Sequence, residues 1–315
     1  MQESPKTSTG KFVFGPVPSR RLGRSLGLDI VPRKVCTLDC VYCQVGRTTD
    51  LTVRRGDFVP VAAVLAEVAA ALGRGPRPDY VTISGSGEPT LNVRLGEIVA
   101  GLRKITDVPV AIITNGTLLG EPDVRRDCAG ADLVVPSLDA GDEATYQRIN
   151  RPTRGLTLAA LVDGLTAFRQ EFAGQYWLEV FVVAGVNDSP QQVAKMRTLI
   201  ERINPDRVQV NTATRPTAEA EVGAVPAVRL AEIARELGPR AEVIADFKAQ
   251  TASGATEISD EAVLALVARH PAPAEEIAAA LGAKLEQVAR TLAALDAAGQ
   301  IKSSRRGGKT YYEVM

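Results

Sequence analysis

The feature that most restricts the fold of this chain is a group of three cysteines, Cys36, Cys40 and Cys43, spaced C-x3-C-x2-C. They lie in the segment RKVCTLDCVYCQVG, and Cys128 is the only other cysteine among 315 residues. Thiolate sulfur binds zinc and iron–sulfur clusters. We therefore expect a fold that presents one short loop with its three sulfurs arranged around a metal centre.

The number of available ligands separates these two kinds of metal site. Structural zinc is held by four Cys or His ligands. Cys128 lies far along the chain near a predicted helix end, and the only histidine, His270, is close to the C-terminus. Three thiolates on one loop instead suit an iron–sulfur cluster with one iron open to a ligand from solution. The sequence thus favours a cluster over structural zinc.

Composition indicates the cellular setting. Lys+Arg and Asp+Glu total 37 each, so no overall charge demands nucleic acid or a membrane. The N-terminal segment MQESPKTSTGKF lacks the apolar core of a signal peptide, and no run approaches the roughly 18 apolar residues of a membrane span. Four cysteines with three clustered do not make a disulfide framework. We predict a cytoplasmic protein with reduced thiols and no membrane association.

Short apolar, β-branched runs alternate with helical stretches, which is typical of βα units around a parallel sheet. The predicted strands are 26–31, 80–84, 109–114, 132–138, 177–183, 207–211 and, more weakly, 241–246, and the predicted helices include 61–73, 156–172 and 189–203. Six or seven such units predict an α/β fold over residues 1–247, an open or partial (β/α)6-type barrel. In a βα barrel the chemistry gathers at the C-terminal ends of the strands.

Polar segments follow the ends of the predicted strands. The cysteines follow the first strand, and SGSGEPTLN, TNGT, PSLDAGD and AGVNDSP follow the next four. Each segment alone is ordinary turn chemistry, because Gly and Asn accept positive φ and Pro fixes φ. Their shared position on one rim beside the cysteines predicts a cofactor site.

The motif C-x3-C-x-aromatic-C, with Tyr42 as the aromatic residue, resembles that of the radical S-adenosylmethionine (SAM) enzymes, and the later loops match in order over about residues 15–245. The resemblance implies that Cys36, Cys40 and Cys43 bind a [4Fe–4S] cluster whose fourth iron is chelated by SAM. It also implies reductive cleavage of SAM to a 5′-deoxyadenosyl radical that abstracts hydrogen from the substrate. A flavodoxin- or ferredoxin-type reductant would supply the electron.

The resemblance further implies which residues contact SAM. Glu88, in GSGEP, would receive the SAM ammonium, since a carboxylate suits a cation, and Tyr42 would pack near the adenine. The implied cofactor-binding residues are Tyr42, Gly87, Glu88, Pro89, Thr114, Asn115, Ser137, Asp139, Val183, Val186 and Asn187. The cofactor supplies the difficult chemistry and the protein positions it, so no individual catalytic side chain is predicted.

A narrower resemblance is carried by GPVPSRRLGRSLGLDIVP and SLDAGDEATYQRINRP, which look like a subgroup related to the tRNA wyosine-synthesising enzymes. Those enzymes hold a second cluster with further cysteines, whereas this chain has only Cys128 to spare. We therefore expect one cluster, and the tRNA reaction does not follow from the resemblance.

The region around the cysteines is basic, with eight Arg or Lys against three Asp over residues 20–55. This excess either offsets a negatively charged cluster or binds an anionic substrate. The substrate-contact candidates are Arg20, Arg21, Arg24 and Arg151, because guanidinium groups hold carboxylate or phosphate in a fork. The open substrate classes are tRNA or another nucleic acid, a glycyl-radical enzyme to be activated, and a small anionic metabolite.

A different pattern follows the small, polar segment 248–258, which we interpret as a linker. Ser259 precedes the first of three helical stretches, and KSSRRGGKTYYEV predicts a hairpin turning at Gly307–Gly308. Over residues 259–315 this resembles a winged helix-turn-helix, with residues 284–290 beginning the recognition helix. Because the segment is electrically neutral, macromolecular docking and a structural lid both stay open.

Two classes of function remain. One is a radical SAM enzyme, and the other is an iron–sulfur sensor that regulates through its winged helix. A sensor needs a cluster but no site for a sulfonium cofactor, so the complete rim of polar loops favours the enzyme.

Overall fold

The structure, a computed structural model, describes residues 12–74, 77–245, 259–268, 271–281, 283–306 and 308–315. The predicted linker 248–258 and the boundary at residue 247 lie outside the described residues, as do His270 and Gly307.

The main body is built on an eight-stranded sheet with the order β1-β2-β5-β6-β7-β8-β9-β10. Its strands are β1 (Val13–Ser19), β2 (Gly23–Asp29), β5 (Tyr80–Ser84), β6 (Val110–Ile113), β7 (Leu133–Val135), β8 (Gln175–Val182), β9 (Arg207–Thr212) and β10 (Ala241–Val243). Two short strands in the cysteine loop, β3 (Val35–Cys36) and β4 (Asp50–Leu51), form a separate parallel pair. β1 runs antiparallel to β2, and every other neighbouring pair is parallel. The prediction of an α/β fold with a largely parallel sheet is confirmed.

Helices cover the outer face of this sheet. They are α1 (Val61–Leu72), α2 (Leu95–Ile105), α3 (Pro122–Cys128), α4 (Glu143–Asn150), α5 (Leu158–Glu171), α6 (Pro190–Ile203) and α7 (Ala227–Leu237), with a 3-10 turn at Pro89–Leu91. α6 shows why they form: Ser189 caps its first turn, and buried residues recur every three or four positions from Val193 to Ile203. No described helix has the length and apolarity to cross a bilayer.

The observed strands differ from the predicted ones at positions where proline affects strand pairing. The strand at 80–84 is as predicted, but the predicted strand 132–138 ends at Val135, because Pro136 offers no N–H to the ladder. β1 was not expected, since its sequence VFGPVPS contains two prolines. It lies at the sheet edge and carries a register shift between Phe14 and Val17, which is where proline is tolerated.

The sheet curls around an interior. Leu22, in the turn between β1 and β2, is buried against Ala111 of β6, Leu133 of β7 and Trp177 of β8. Side chains alternate across a strand, so every second residue faces this interior. Leu22 therefore closes the end of the interior near the strand N-termini, and the polar rim lies at the other end.

The C-terminal residues form a second unit with its own core. Its described elements are α8 (Asp260–Val267), α9 (Ala274–Leu281), α10 (Leu285–Ala297), β11 (Ile301–Arg306) and β12 (Lys309–Val314). Ser259 caps α8 by accepting the Ala262 N–H. The unit packs on the main body: Val17 of β1 contacts its core, and the Tyr311 hydroxyl donates to the Thr214 carbonyl at 3.0 Å.

Candidate active site

Each of the three clustered cysteine sulfurs lies within hydrogen-bonding distance of a nitrogen donor from elsewhere in the chain. The pairs are Asn115 Nδ2 with Cys36 Sγ (3.6 Å), Asn150 Nδ2 with Cys40 Sγ (3.4 Å) and Lys34 Nζ with Cys43 Sγ (3.1 Å). N–H donors stabilise thiolate ligands and tune the potential of an iron–sulfur cluster. The surroundings of the loop therefore suit thiolates that carry negative charge.

The thiols themselves resist ionisation. Burial raises the pKa of Cys36 to about 12, and burial followed by the nearby Asp139 carboxylate raises the pKa of Cys40. A coordinating metal deprotonates a thiol outright, so iron would supply the positive charge that these buried sulfurs need. The donor set fits a cluster in this respect.

A mononuclear metal site is a separate question. Within the described residues, no three Cys, His, Asp or Glu side chains come close enough together to hold a single ion. A [4Fe–4S] cluster places each of its cysteines on a different iron, so its sulfurs do not have to converge on one point.

The cysteine loop is tied by its backbone to the GSGEP segment after β5. The Lys34 N–H donates to the Ser86 carbonyl at 2.7 Å, and the Glu88 N–H donates to the Val35 carbonyl at 3.0 Å. Gly87 lies so close that a Cβ atom there would be 2.5 Å from the Val35 oxygen. Glycine is therefore required at position 87 for the two loops to meet.

Glu88 is buried and joins two of the rim loops. Its Oε1 accepts hydrogen bonds from the Thr90 N–H and from the hydroxyls of Thr90 and Thr114, and its Oε2 accepts the Asn115 N–H at 2.8 Å. Burial raises the pKa of Glu88, while these four hydrogen bonds lower it. Oε1 thus accepts three donors and Oε2 only one, so Oε2 is the less crowded oxygen for a further donor.

Asp139 is the centre of a second buried network. Its Oδ2 accepts hydrogen bonds from the Tyr42 hydroxyl and from Asn150 Nδ2, and its Oδ1 accepts the Phe181 N–H at 2.9 Å. The Tyr42 and Phe181 rings stack with their centroids 4.0 Å apart. Burial raises the pKa of Asp139 to about 6. Because Asn150 also reaches Cys40, this network connects the rim to the cysteine loop.

The other predicted cofactor residues lie around the same rim. Asn187 is fully buried, donates to the carbonyls of Asp139 and Phe181, and accepts the Val183 N–H, so it fastens its loop internally. Val183 and Val186 belong to the apolar cluster that contains Tyr42. Pro89 begins the 3-10 turn after Glu88, and Ser137 pairs with Glu179 in an isolated bridge.

Only two of the four arginine candidates are brought together. Arg20 and Arg21 line a cavity inside the sheet, while Arg151 is paired with Glu219. Arg24 alternates along β2 with Ser25, a cavity-lining residue, so it faces the opposite side. The basic side chains of residues 20–55 thus lie partly in the interior of the sheet and partly on its outer surface.

Several contacts of the site were not anticipated. In the sequence Lys34 is only one of several basic residues, and no role is predicted for Asn150 or Phe181. Lys34 has one sequence signal, its position two residues before Cys36. Asn150 lies within the SLDAGDEATYQRINRP segment, which is a signal, whereas Phe181 has none, because it reaches the site only through long-range packing.

Comparisons with known proteins agree with this arrangement. Residues 30–196, more than half of the chain, match the Radical SAM superfamily. A protein named GTPase Obg from Brachyspira hyodysenteriae is 36% identical over 307 residues, which cover 96% of this chain and 45% of that protein. The UPF0026 protein MJ1312 from Methanocaldococcus jannaschii is 39% identical over 210 residues, covering 66% of this chain and 65% of that protein.

The chain thus spans less than two thirds of the length of both relatives. A GTPase phosphate loop has the pattern G-x4-G-K-[ST]. The Gly-Lys-Thr of residues 308–310 does not complete this pattern, because Ser303 stands at the position of the first glycine.

Among solved structures, TYW1 with a lysine-pyruvate adduct bound aligns with a TM-score of 0.54 at 20% identity, covering 68% of this chain and 72% of that one. That likeness shows a shared fold.

The chain belongs to the radical SAM superfamily. It is an enzyme of that family, whose cofactors are a [4Fe–4S] cluster and SAM, and whose members need a reductant.

Proposed function

We propose that Cys36, Cys40 and Cys43 hold the [4Fe–4S] cluster and that the rim around Glu88 and Asp139 binds SAM at its open iron. The observation that supports this most directly is the set of three nitrogen donors, one for each cysteine sulfur. Structural thiols in a core have no need of such donors, whereas cluster ligands do.

When bound, the cluster and SAM would supply the chemistry of one-electron reductive cleavage and hydrogen abstraction from the substrate. The chain's own residues would position SAM. Glu88 Oε2, which accepts only one hydrogen bond, would accept the ammonium. The Tyr42 cluster with Val183 and Val186 offers an apolar surface for the adenine. Thr114 and Asn115 hold the Glu88 carboxylate in place.

We propose that the electron comes from a flavodoxin- or ferredoxin-type protein and that the enzyme works in the cytoplasm with reduced thiols. The substrate would be anionic, because arginines reach the interior of the sheet. tRNA or another nucleic acid, a glycyl-radical enzyme and a small metabolite all meet that description.

The C-terminal unit would be a winged helix-turn-helix domain, separated from residues 1–247 by the 248–258 segment. Its described elements, three helices followed by a hairpin, are in the expected order. One arginine of the proposed wing already forms hydrogen bonds within the chain: Arg306 donates to the carbonyls of Arg215 and Val222 in the main body. An external anion would therefore meet the exposed Arg305 rather than Arg306. The alternative function, a sensor acting through this unit, would make no use of the Glu88 rim.

Anaerobic reconstitution tests this proposal. We expect one four-iron cluster per wild-type chain, no cluster in Cys36→Ala, Cys40→Ala or Cys43→Ala, and an unchanged cluster in Cys128→Ala. Cys128 is a suitable control because it is fully buried at the end of α3 and lies outside the C-x3-C-x2-C motif. With dithionite and SAM, the loaded chain should release 5′-deoxyadenosine. A loaded and reduced chain that never cleaves SAM would favour the sensor.

A further inference from the structure

A cavity of about 270 Å³ lies inside the curled sheet, beneath the rim. Five charged residues line it: Arg20 and Arg21 from the β1–β2 turn, Glu179 from β8, Arg215 from the loop after β9, and Glu276 from α9 of the C-terminal unit. Gln44, directly after Cys43, lines the same cavity, so the cavity extends to the cysteine loop. Its volume is just below the range of about 300–1,000 Å³ that is typical of small-molecule pockets.

The charges in this cavity do not balance. Arg21 donates to both carboxylate oxygens of Glu179, at 3.0 and 2.6 Å, and Arg215 is paired with Glu276. Arg20 is the third guanidinium, and no carboxylate in the described part of the chain forms an ion pair with it. Among the described residues that line the cavity, three arginines against two glutamates leave one positive charge.

The hydrogen bonding of Arg20 is incomplete as well. Its NH1 donates to Asn211 Oδ1 at 3.1 Å, while its Nε is shielded from solvent and has no hydrogen-bond partner among the described residues. Burial lowers the pKa of Arg20 to about 10, with Arg215 adding to the effect. The carboxylates of Glu276 and Glu179 oppose this shift of the pKa, but a shielded guanidinium without a directly paired carboxylate remains unfavourable. An anionic ligand would relieve that cost.

We propose that this cavity is the substrate pocket of the enzyme and that Arg20, together with Arg215, holds an oxyanion of a small substrate, a carboxylate or a phosphate. The proposal rests on the proposed function, because it places the substrate beside the cysteine loop. Planar guanidinium groups recognise both kinds of oxyanion in a fork. Among the three open substrate classes, the size of the cavity favours the small anionic metabolite.

The C-terminal unit contributes a wall of this pocket. Glu276 and Arg215 have side chains only 9% and 12% exposed, and they meet across the contact between α9 and the main body. The Glu276 carboxylate forms the same kind of ion pair with Arg215 that a substrate oxyanion would form. Substrate and Glu276 therefore compete for Arg215, and removal of the Glu276 charge strengthens anion binding.

Calorimetric titration of the full, cluster-free chain tests the pocket without any radical chemistry, with malonate and inorganic phosphate as separate probes. We expect at least one probe to bind with a Kd tighter than about 10 mM. Arg20→Gln should weaken that binding tenfold or more, Arg20→Lys should weaken it less, and Glu276→Gln should strengthen it several-fold. Preference for malonate would identify a carboxylate substrate, and preference for phosphate a phosphorylated one.

The control is Arg202→Gln, because Arg202 lies on the outer helix α6 and is half exposed in a pair with Asp163. Circular dichroism establishes that each variant folds, and Arg20→Lys replaces Arg20→Gln if the latter does not. The proposal is overturned if neither anion binds the wild-type chain, or if the Arg20 variants bind as the wild type does. Because the titration needs no cluster, failure of reconstitution would sink the proposed function and leave this result standing.

Discussion

The Lys34 ammonium lies 3.1 Å from the sulfur of Cys43, and the Lys34 side chain is buried. Lys34 also has φ of 58°, a left-handed conformation that is uncommon outside glycine. Its N–H donates to the Ser86 carbonyl, and its own carbonyl accepts the N–H groups of Thr49 and Asp50. The backbone around Lys34 is thus held on both sides, which directs one positive charge at the cysteine loop.

The first prediction follows from that charge. Lys34→Met should still load a cluster, but the reduction potential should fall by roughly 60 mV, a tenfold change for one electron, because reduction adds negative charge that Lys34 stabilises. EPR-monitored redox titration measures it. Lys104→Met, on the exposed end of α2, is the control and should leave the potential unchanged. Equal potentials in wild type and Lys34→Met would show that the ammonium does not act on the cluster.

The second prediction concerns the contact between the two loops. Gly87→Ala would place a Cβ 2.5 Å from the Val35 oxygen, so the cysteine loop must shift. We expect a loss of roughly 1–3 kcal/mol of unfolding free energy and incomplete cluster loading, measured by urea unfolding and iron content. Gly120→Ala is the matched control, since a Cβ there meets nothing within 4 Å. Full loading of Gly87→Ala would contradict a tight contact.

These two sites show what the sequence could predict. The cysteine spacing and the polar segments after each strand place a site on one rim, and the parallel sheet that brings them together is observed. Contacts that depend on chain folding could not be predicted. Asn150 is 110 residues from Cys40, and Glu276 is 61 residues from Arg215, so neither pair has a local pattern. β1 was missed because edge strands tolerate the prolines that usually exclude a strand.

The third prediction uses the pKa of Asp139, which burial raises from 3.8 to about 6. The folded chain then holds this proton more tightly than the unfolded chain, so protonated Asp139 stabilises the fold at low pH. That contribution is lost as pH rises from about 4 to about 6. The unfolding free energy of the cluster-free wild type minus that of Asp139→Asn should therefore fall over this window by up to roughly 3 kcal/mol.

Urea unfolding of both chains at several pH values measures this difference. Other titrating groups are common to both chains and cancel. The difference should be flat above pH about 7, where Asp139 is ionised in both states. Parallel curves from pH 4 to 7 would mean that Asp139 titrates as an ordinary carboxyl.

The last prediction concerns how the C-terminal unit bears on the cysteine loop. Arg306 donates hydrogen bonds to the Arg215 carbonyl at 3.0 Å, to the Thr217 hydroxyl at 3.3 Å and to the Val222 carbonyl. The same segment donates back to the cysteine loop, from the Ala218 N–H to the Cys43 carbonyl at 2.9 Å. A chain of hydrogen bonds thus runs from β11 of the C-terminal unit to a proposed cluster ligand.

Arg306→Ala removes these contacts and leaves two carbonyls without their donor, so we expect a loss of about 1–3 kcal/mol of unfolding free energy. The cluster should also bleach faster in air, because the segment that covers Cys43 is less firmly held. Arg305→Ala is a control one residue away, since Arg305 is exposed, and it should match the wild type in both measurements. If instead both variants leave stability and bleaching unchanged, the C-terminal unit is a separable appendage, and a chain without it should load and keep its cluster normally.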